Sequence, residues 1–414
     1  MQPYQYSTLS KEHEIRLLKF GTTPSSNQQQ HSLIHTTIHQ APAYETLSYV
    51  WGPGVRDRVL ILHEGFALYV TENLERAILG VSQHCSTGYI WIDQICINQD
   101  NVAERNEQVK LMGRVYGSCF QVLVWLGSID LPHCDAVDWV CRVANEAAVG
   151  TRDPTVELQT LLTGDVVMKN GEAVLYQEDE ELAIWQFYKQ LGCAWFSRGW
   201  VFQEIVLPSR SKFILSSGSV SLQGLNWICK AIQKNEGEEV IAVGLDEVTL
   251  ESGTGFNMVP MMYRSWAERH DPMYSFSHAV QNFEDFISAV VPAMKTSDPR
   301  DCIYAVLGLN DDPFVQIQPD YRHSTEEVFA STTRAIIQGS QRLDILDILC
   351  RQGDGDGTRP FFRRSPSWVP DFRASEHLTR FSKSTASVLP SEHGRMYPHV
   401  GAPWQGARSS SESN

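Results

Sequence analysis

The chain lacks any apolar run able to cross a bilayer. Its longest, such as Gln121 to Gly127, are strand-sized, against the roughly 18–20 residues that a span needs. It also lacks an excess of positive charge. Lys and Arg number 34 against 49 Asp and Glu, a net charge of −15. That argues against a nucleic-acid surface and a polybasic membrane anchor, both of which work by neutralising phosphate. The N-terminal stretch MQPYQYSTLSKEHEIRLL has no apolar signal core and no Gly at position 2, so the cytoplasm is the expected compartment. The nine cysteines are odd in number and widely spaced, and they form no C-x-x-C pair. This is neither a disulfide framework nor a zinc ribbon, and reduced, mostly buried thiols are expected.

The common catalytic signatures are missing too. There is no G-x-x-x-x-G-K-[ST], no G-x-G-x-x-G after a strand, no G-x-S-x-G and no H-E-x-x-H. The thirteen histidines are scattered, so no metal site is expected. No repeat of 20–50 residues is visible, which excludes a solenoid or propeller.

What is present is a globular composition, 42% hydrophobic and 20% charged. Strand patterns at 14–20, 32–40, 45–51, 58–62, 66–70, 89–93 and 120–126 alternate with amphipathic helices. Thr71 is placed to cap a helix whose Leu74, Ala77, Ile78 and Val81 share a face. Asn101 and Glu104 resemble a capping box opening a helix to about Gly117. Several strands are near-continuous apolar runs, as in a sheet covered on both faces. The expected fold class is therefore α/β, a mostly parallel sheet flanked by helices in the N-terminal half, with a mainly helical C-terminal half. The expected division is 1–210 with a core at 44–206, a helical region at 211–373 packed on it, and a flexible tail at 374–414. An insertion is expected at 150–180.

Three dense blocks stand out. Tyr44 to Gly52 reads YETLSYVWG. Trp91 to Gln99 reads WIDQICINQ and continues through Glu104-Arg105, Gln108-Val109, Met112 and Tyr116 to Trp125-Leu126-Gly127. Trp195 to Glu204 reads WFSRGWVFQE. With Asp298–Leu309 (DPRDCIYAVLGL) and Ser367–Asp371 (SWVPD), this order of motifs resembles the fungal heterokaryon-incompatibility (HET) domain. The resemblance spans about residues 1–372 and is most specific over 44–206. It implies a cytosolic fungal protein that triggers cell death or growth arrest after non-self recognition. It also implies a distant kinship to TIR domains, some of which cleave NAD, and hence a TIR-like or flavodoxin-like sheet. The implied partners are NAD or a related nucleotide as substrate, and a second copy or another incompatibility protein. No resident cofactor is implied.

The chemistry asks for little. In open parallel sheets ligands bind beyond the carboxyl ends of the strands, where Tyr49, Trp51, Asp93 and Trp125 should lie. Breaking a nicotinamide–ribose bond passes through an oxocarbenium-like state that one carboxylate can stabilise, while aromatic faces hold the bases. In NAD-cleaving TIR domains the essential Glu follows a Trp-containing helix start, and Glu204 after Trp195 and Trp200 resembles it. The candidate catalytic residue is Glu204, and the candidate substrate-binding residues are Tyr49, Trp51, Asp93, Arg198 and Trp200. With Ser197 as cap, Trp200 and Glu204 would share a helix face. Structural readings stay open beside these. Glu204 can be an ion-pair partner of Arg198, Asp93 a turn cap, Glu104 a capping-box residue and Cys96 a packed thiol. Trp51, Trp91, Trp125 and Trp200 can be core. A non-catalytic signalling domain that self-associates is the alternative function.

Overall fold

The computed structural model describes residues 1–21, 31–127, 134–150, 167–169, 172–174, 192–215, 218–235, 255–272, 283, 287, 291, 294–310, 314–346, 348 and 366–373. The expected tail at 374–414 and most of the 150–180 insertion lie outside the described residues.

Twelve strands are described: β1 (Gln2–Pro3), β2 (Glu14–Lys19), β3 (Ser32–Thr37), β4 (Glu45–Tyr49), β5 (Arg58–Ile61), β6 (Phe66–Val70), β7 (Tyr89–Trp91), β8 (Gln121–Trp125), β9 (Val167–Lys169), β10 (Glu172–Val174), β11 (Ser211–Leu215) and β12 (Gly218–Val220). The helices used below are α1 (Glu72–Ser82), α2 (Asp93–Cys96), α3 (Val102–Ser118), α4 (Cys134–Ala148), α5 (Val201–Val206), α6 (Leu222–Asn235), α7 (Gly255–His270), α8 (Asp301–Tyr304) and α9 (Thr325–Ser340).

The main sheet has seven strands in the order β12-β11-β8-β4-β7-β2-β3. Its centre, β11-β8-β4-β7, is parallel. Both edges are antiparallel, through β11–β12, β7–β2 and β2–β3. The α/β class holds, but the expected mostly parallel sheet is corrected to a mixed one. Strand direction is what the apolar runs do not encode: they report burial on two faces, which a β2 covered on both faces shows equally. β12 begins three positions after β11 ends, and a parallel return needs a crossover of about a dozen residues or more. The sheet also runs past residue 210 to Val220. Strands β5 and β6 pair antiparallel, in a separate three-stranded sheet with β1.

Local chemistry explains the flanking helices. Thr71 Oγ1 accepts the Leu74 N–H at 3.3 Å, and Leu74, Ala77, Ile78 and Val81 bury the inner face of α1. Asn101 Oδ1 caps α3 by accepting from Ala103 and Glu104 N–H. The expected return from Glu104 is not made. Its carboxylate instead grips the buried Arg16 at 2.6 Å and the Asn98 N–H at 2.7 Å. Alternate β4 residues face opposite layers. Glu45 accepts from Ser86 in the turn after α1, whereas Thr46 reaches Cys119 at the end of α3. The two helices thus flank the sheet on opposite sides.

Candidate functional site

β4 connects through α1 to β7 on one side of it, while its other neighbour, β8, precedes β11 on the far side, so the chain leaves the adjacent strands β4 and β8 in opposite directions. Such a switch point opens a crevice at the carboxyl ends of the strands. At the end of β4 stand Ser48, Tyr49 and, past the strand, Trp51. The turn needs Gly52: its φ is +69°, and a Cβ there would lie 2.6 Å from Asn73 Nδ2. Asn73 in turn donates to the Val50 carbonyl at 3.3 Å. This turn sends the Trp51 indole towards β7, where its N–H donates to both Asp93 oxygens at 3.2 and 3.0 Å.

Asp93 opens α2 and accepts the Gln94 N–H at 2.7 Å. That bond reaches only the next residue, one short of the turn cap expected of Asp93, and the same carboxylate also holds Trp51. Burial and the charge of Glu204 push the Asp93 carboxyl up to about 7, against the pull of Arg198, the Gln94 N–H and the Trp51 indole.

Glu204 lies on α5, which follows a short 3-10 turn, Ala194–Ser197. Ser197 does not cap α5; its hydroxyl donates to the Ala194 carbonyl at 3.0 Å. Glu204 remains one turn from Trp200, its N–H donating to the Trp200 carbonyl at 3.1 Å. The Glu204 side chain is 2% exposed. The Ser48 hydroxyl donates to its Oε2 and accepts from the Trp195 indole at 2.7 Å. Arg198 Nη2 stands 3.6 Å from Oε1, while Nη1 donates to the Tyr49 carbonyl at 2.6 Å. Burial raises the Glu204 carboxyl above its ordinary range, and Arg198 and Ser48 oppose that. The ion pair with Arg198 is thus present.

Five of the six candidate residues converge: Glu204, Arg198, Asp93, Trp51 and Tyr49. The charges of Asp93, Arg198 and Glu204 all act on the buried Tyr49 hydroxyl. Trp200 does not join them. Its indole donates to Asp301 at 3.3 Å, and Tyr321 donates to the other oxygen of Asp301 at 2.5 Å. The later α5 start turns Trp200 towards the downstream region. That region also fixes Arg198: Gly199 N–H donates to the Lys295 carbonyl at 3.0 Å, and Lys295 N–H to the Ser197 carbonyl at 2.6 Å. Trp91 is core, stacked edge-on against Tyr116, and Cys96 is a packed thiol pushed up to about 12 by burial.

Sequence reasoning missed Ser48 and Trp195 as site residues. The available signal was the polar Thr46 and Ser48 on a strand otherwise built for the core. Among the described residues no three His, Cys, Asp or Glu side chains are grouped to hold a metal. No helix among them is long and apolar enough to cross a membrane.

Comparison with known proteins meets this geometry. The family model described as "Heterokaryon incompatibility protein (HET)" matches residues 44–204, the segment from the start of β4 to Glu204. The chain is 28% identical over 397 residues to "Heterokaryon incompatibility protein 6, OR allele" of Neurospora crassa, covering 86% of this chain and 57% of that protein. It is 24% identical over 174 residues to "Vegetative incompatibility protein HET-E-1" of Podospora anserina, covering 42% of this chain and 10% of that protein. The chain therefore spans little more than half the length of one relative and a tenth of the other. No solved structure matches it.

Proposed function

We propose that this chain, whose residues 44–204 match the HET family model, is a cytosolic fungal incompatibility effector that acts by binding and hydrolysing NAD or a related nucleotide at the β4 switch point. The incompatibility role is supported by the relatives, both named for it. The observation supporting a nucleotide site is the convergence of Asp93, Glu204 and Arg198 with Tyr49 and Trp51 at one strand end. Buried like charges whose protonation is shifted are costly, and they gather where chemistry is done.

In this reading the bond between ribose C1′ and the pyridinium nitrogen breaks. The electron pair leaves with nicotinamide, which needs no general acid. The Glu204 carboxylate faces the oxocarbenium charge, a water oxygen bonds to C1′, and one proton is released. A cationic ring beside Glu204 favours its ionised form, offsetting burial. Trp51 offers an aromatic face, and Trp51, Asp93 and Arg198, all half-buried, lie on the accessible side of the cluster.

The closure of Glu204 favours a second reading, a domain that signals by self-association with Glu204 serving structure alone. One variant separates them. Glu204→Gln keeps the shape and removes the charge. On the catalytic reading NAD turnover falls ~100–1000-fold at nearly constant melting temperature, the worth of ~3–4 kcal/mol of transition-state stabilisation. On the structural reading a buried charge pair is broken at a cost of ~3–5 kcal/mol. Thermal unfolding and NAD loss are measured on the same concentrated sample. Unchanged turnover in the variant rejects the catalytic role.

A further inference from the structure

We propose that Ser48 and Trp195 are positioning residues that hold Glu204 as an ionised carboxylate in the ligand-free protein, with Oε2 tied to Ser48 and Oε1 left as the working oxygen. This rests on the nucleotide reading above and adds to it the device that readies its carboxylate.

The starting observation is a proton inventory. Ser48, Trp195 and Glu204 are all buried. An indole N–H can only donate, and a hydroxyl has one proton and two lone pairs. The Trp195 N–H meets Ser48 Oγ at 2.7 Å, so the hydroxyl accepts there. Phe196 and Phe213 pack edge-on against the Trp195 ring and hold that direction. The other partner of Ser48 Oγ among the described residues is Glu204 Oε2. The Ser48 proton therefore lies on that bond, and the carboxylate accepts it. Were Oε2 itself protonated towards Ser48, the hydroxyl would accept twice. Its own proton would then be stranded as an unsatisfied buried donor, which is costly.

Arg198 alone does not supply this. Its Nη2 stands 3.6 Å from Oε1, in ion-pair range but beyond a hydrogen bond, and its Nη1 donates to the Tyr49 carbonyl at 2.6 Å. A proton on Oε1 would face that cation, which disfavours it. Burial works the other way and raises the Glu204 carboxyl, against Arg198 and Ser48. The other titratable groups that the Glu204 charge acts on are Asp93 from α2, Tyr49 from β4 and Tyr116 from α3. Both tyrosines are held well above their ordinary range and stay neutral. Asp93, raised to about 7, adds a like charge only towards neutral pH. The Ser48 hydrogen bond is thus the short contact that favours the ionised form.

The test reads the protonation of Glu204 in the full ligand-free chain, grown with isotope-labelled glutamate. A protonated carboxyl has an infrared carbonyl band that a carboxylate lacks, and the label separates Glu204 from Asp93. The other glutamates with shifted carboxyls among the described residues, Glu14, Glu45, Glu104 and Glu327, are all lowered. A labelled acid band at about pH 7 is therefore that of Glu204, and its loss in Glu204→Gln confirms the assignment. The wild type is expected to show no such band. Ser48→Ala is expected to lower the acid dissociation constant of Glu204 about ten- to hundredfold, the worth of one hydrogen bond to a charged group, and Trp195→Phe to lower it less. Ser48→Thr keeps the hydroxyl and is expected to titrate as the wild type does. A Glu204 acid band in the neutral wild type, or a folded Ser48→Ala that titrates like the wild type, overturns the inference. A folded Ser48→Thr that titrates like Ser48→Ala overturns it too, and an unchanged Trp195→Phe overturns the role of Trp195. The wild-type measurement stands even where the Ser48 variants fail to fold. The titration needs no nucleotide, so the two readings fail separately. The expected titration in a chain that neither binds nor cleaves NAD supports the positioning of Glu204 and overturns the nucleotide reading. A failed titration with NAD cleavage intact overturns this inference alone.

Discussion

Ser48 and Glu204, separated by 156 positions in the chain, are joined by a hydrogen bond in which the Ser48 hydroxyl donates to Oε2. The same hydroxyl accepts from Trp195 at 2.7 Å. One strand residue thereby orients the carboxylate and fixes the block that carries it. Ser48→Ala leaves two buried polar groups, the Trp195 N–H and Glu204 Oε2, without this partner. The expected loss is ~2–6 kcal/mol, since each of the two unsatisfied groups costs ~1–3 kcal/mol. Chemical denaturation measures it; a change under 0.5 kcal/mol would show that solvent replaces the hydroxyl.

Asp93 makes the stability depend on pH in an uncommon direction. Its carboxyl is raised from 3.8 to about 7, so the folded state holds the proton more tightly than the unfolded state does. Such a group stabilises the fold below both values and loses that contribution as pH rises between them. Glu45, Glu104 and Asp298 are lowered instead and act oppositely, so the readout is a difference. Relative to Asp93→Asn, the wild type should lose stability from about pH 4 to 7. Parallel melting curves across that range would exclude the burial and charge argument.

How much of this was legible in the sequence depends on what each pattern encodes. Leu74, Ala77, Ile78 and Val81 report a face, and α1 buries that face. The segments 45–51, 89–93 and 120–126 read as strands, and they contain β4, β7 and β8, with β4 between the other two. Hydrophobicity reports exposure and not direction, which is why the antiparallel edges at β2, β3 and β12 were hidden. Trp200 was misplaced by local reasoning, since its partner Asp301 lies 101 residues away. Glu104 misled in the same way. Its spacing from Asn101 suits a capping box, but Arg16, 88 residues away, competes more strongly.

Two glycines separate close approach from mere helix position. A Cβ on Gly308 would lie 2.3 Å from Gln203 Oε1 and 3.0 Å from Gly113 Cα, whereas nothing lies within 4 Å of one on Gly117. The Gly308 N–H also donates to Gln203 at 2.9 Å, tying the 307–309 turn to the helix of Glu204. Gly308→Ala should destabilise by ~1–3 kcal/mol through overpacking. Gly117→Ala, on the exposed face of α3, should stabilise by up to ~1 kcal/mol. Equal effects of the two changes in urea unfolding would show that the 307–309 turn yields freely.

The pair Arg16–Glu104 fixes the N-terminal strands to α3, and its energetics can be separated from its geometry. Arg16 is fully buried and donates to both Glu104 oxygens at 2.6 and 3.1 Å, to the Cys96 carbonyl at 3.0 Å and to the Ser7 carbonyl at 2.6 Å. Removing one partner leaves a buried charge, so Arg16→Met should cost ~3–5 kcal/mol. Replacing both, Arg16→Met with Glu104→Leu, removes the stranded carboxylate and should recover a large part of that loss. Cys96, Ser7 and Asn98 still lose their partners in the double variant, so recovery should be incomplete. Arg16 and the Asn98 N–H also hold the Glu104 carboxyl below its ordinary value despite burial. A group lowered in the folded state adds stability above its unfolded pKa and loses it as pH falls through the folded one. The wild type should therefore lose its advantage over the double variant on acidification below about pH 4. A double-mutant cycle by denaturant unfolding at pH 7 and at low pH measures both effects. Strictly additive single losses would mean that Arg16 and Glu104 contribute independently, despite their contact.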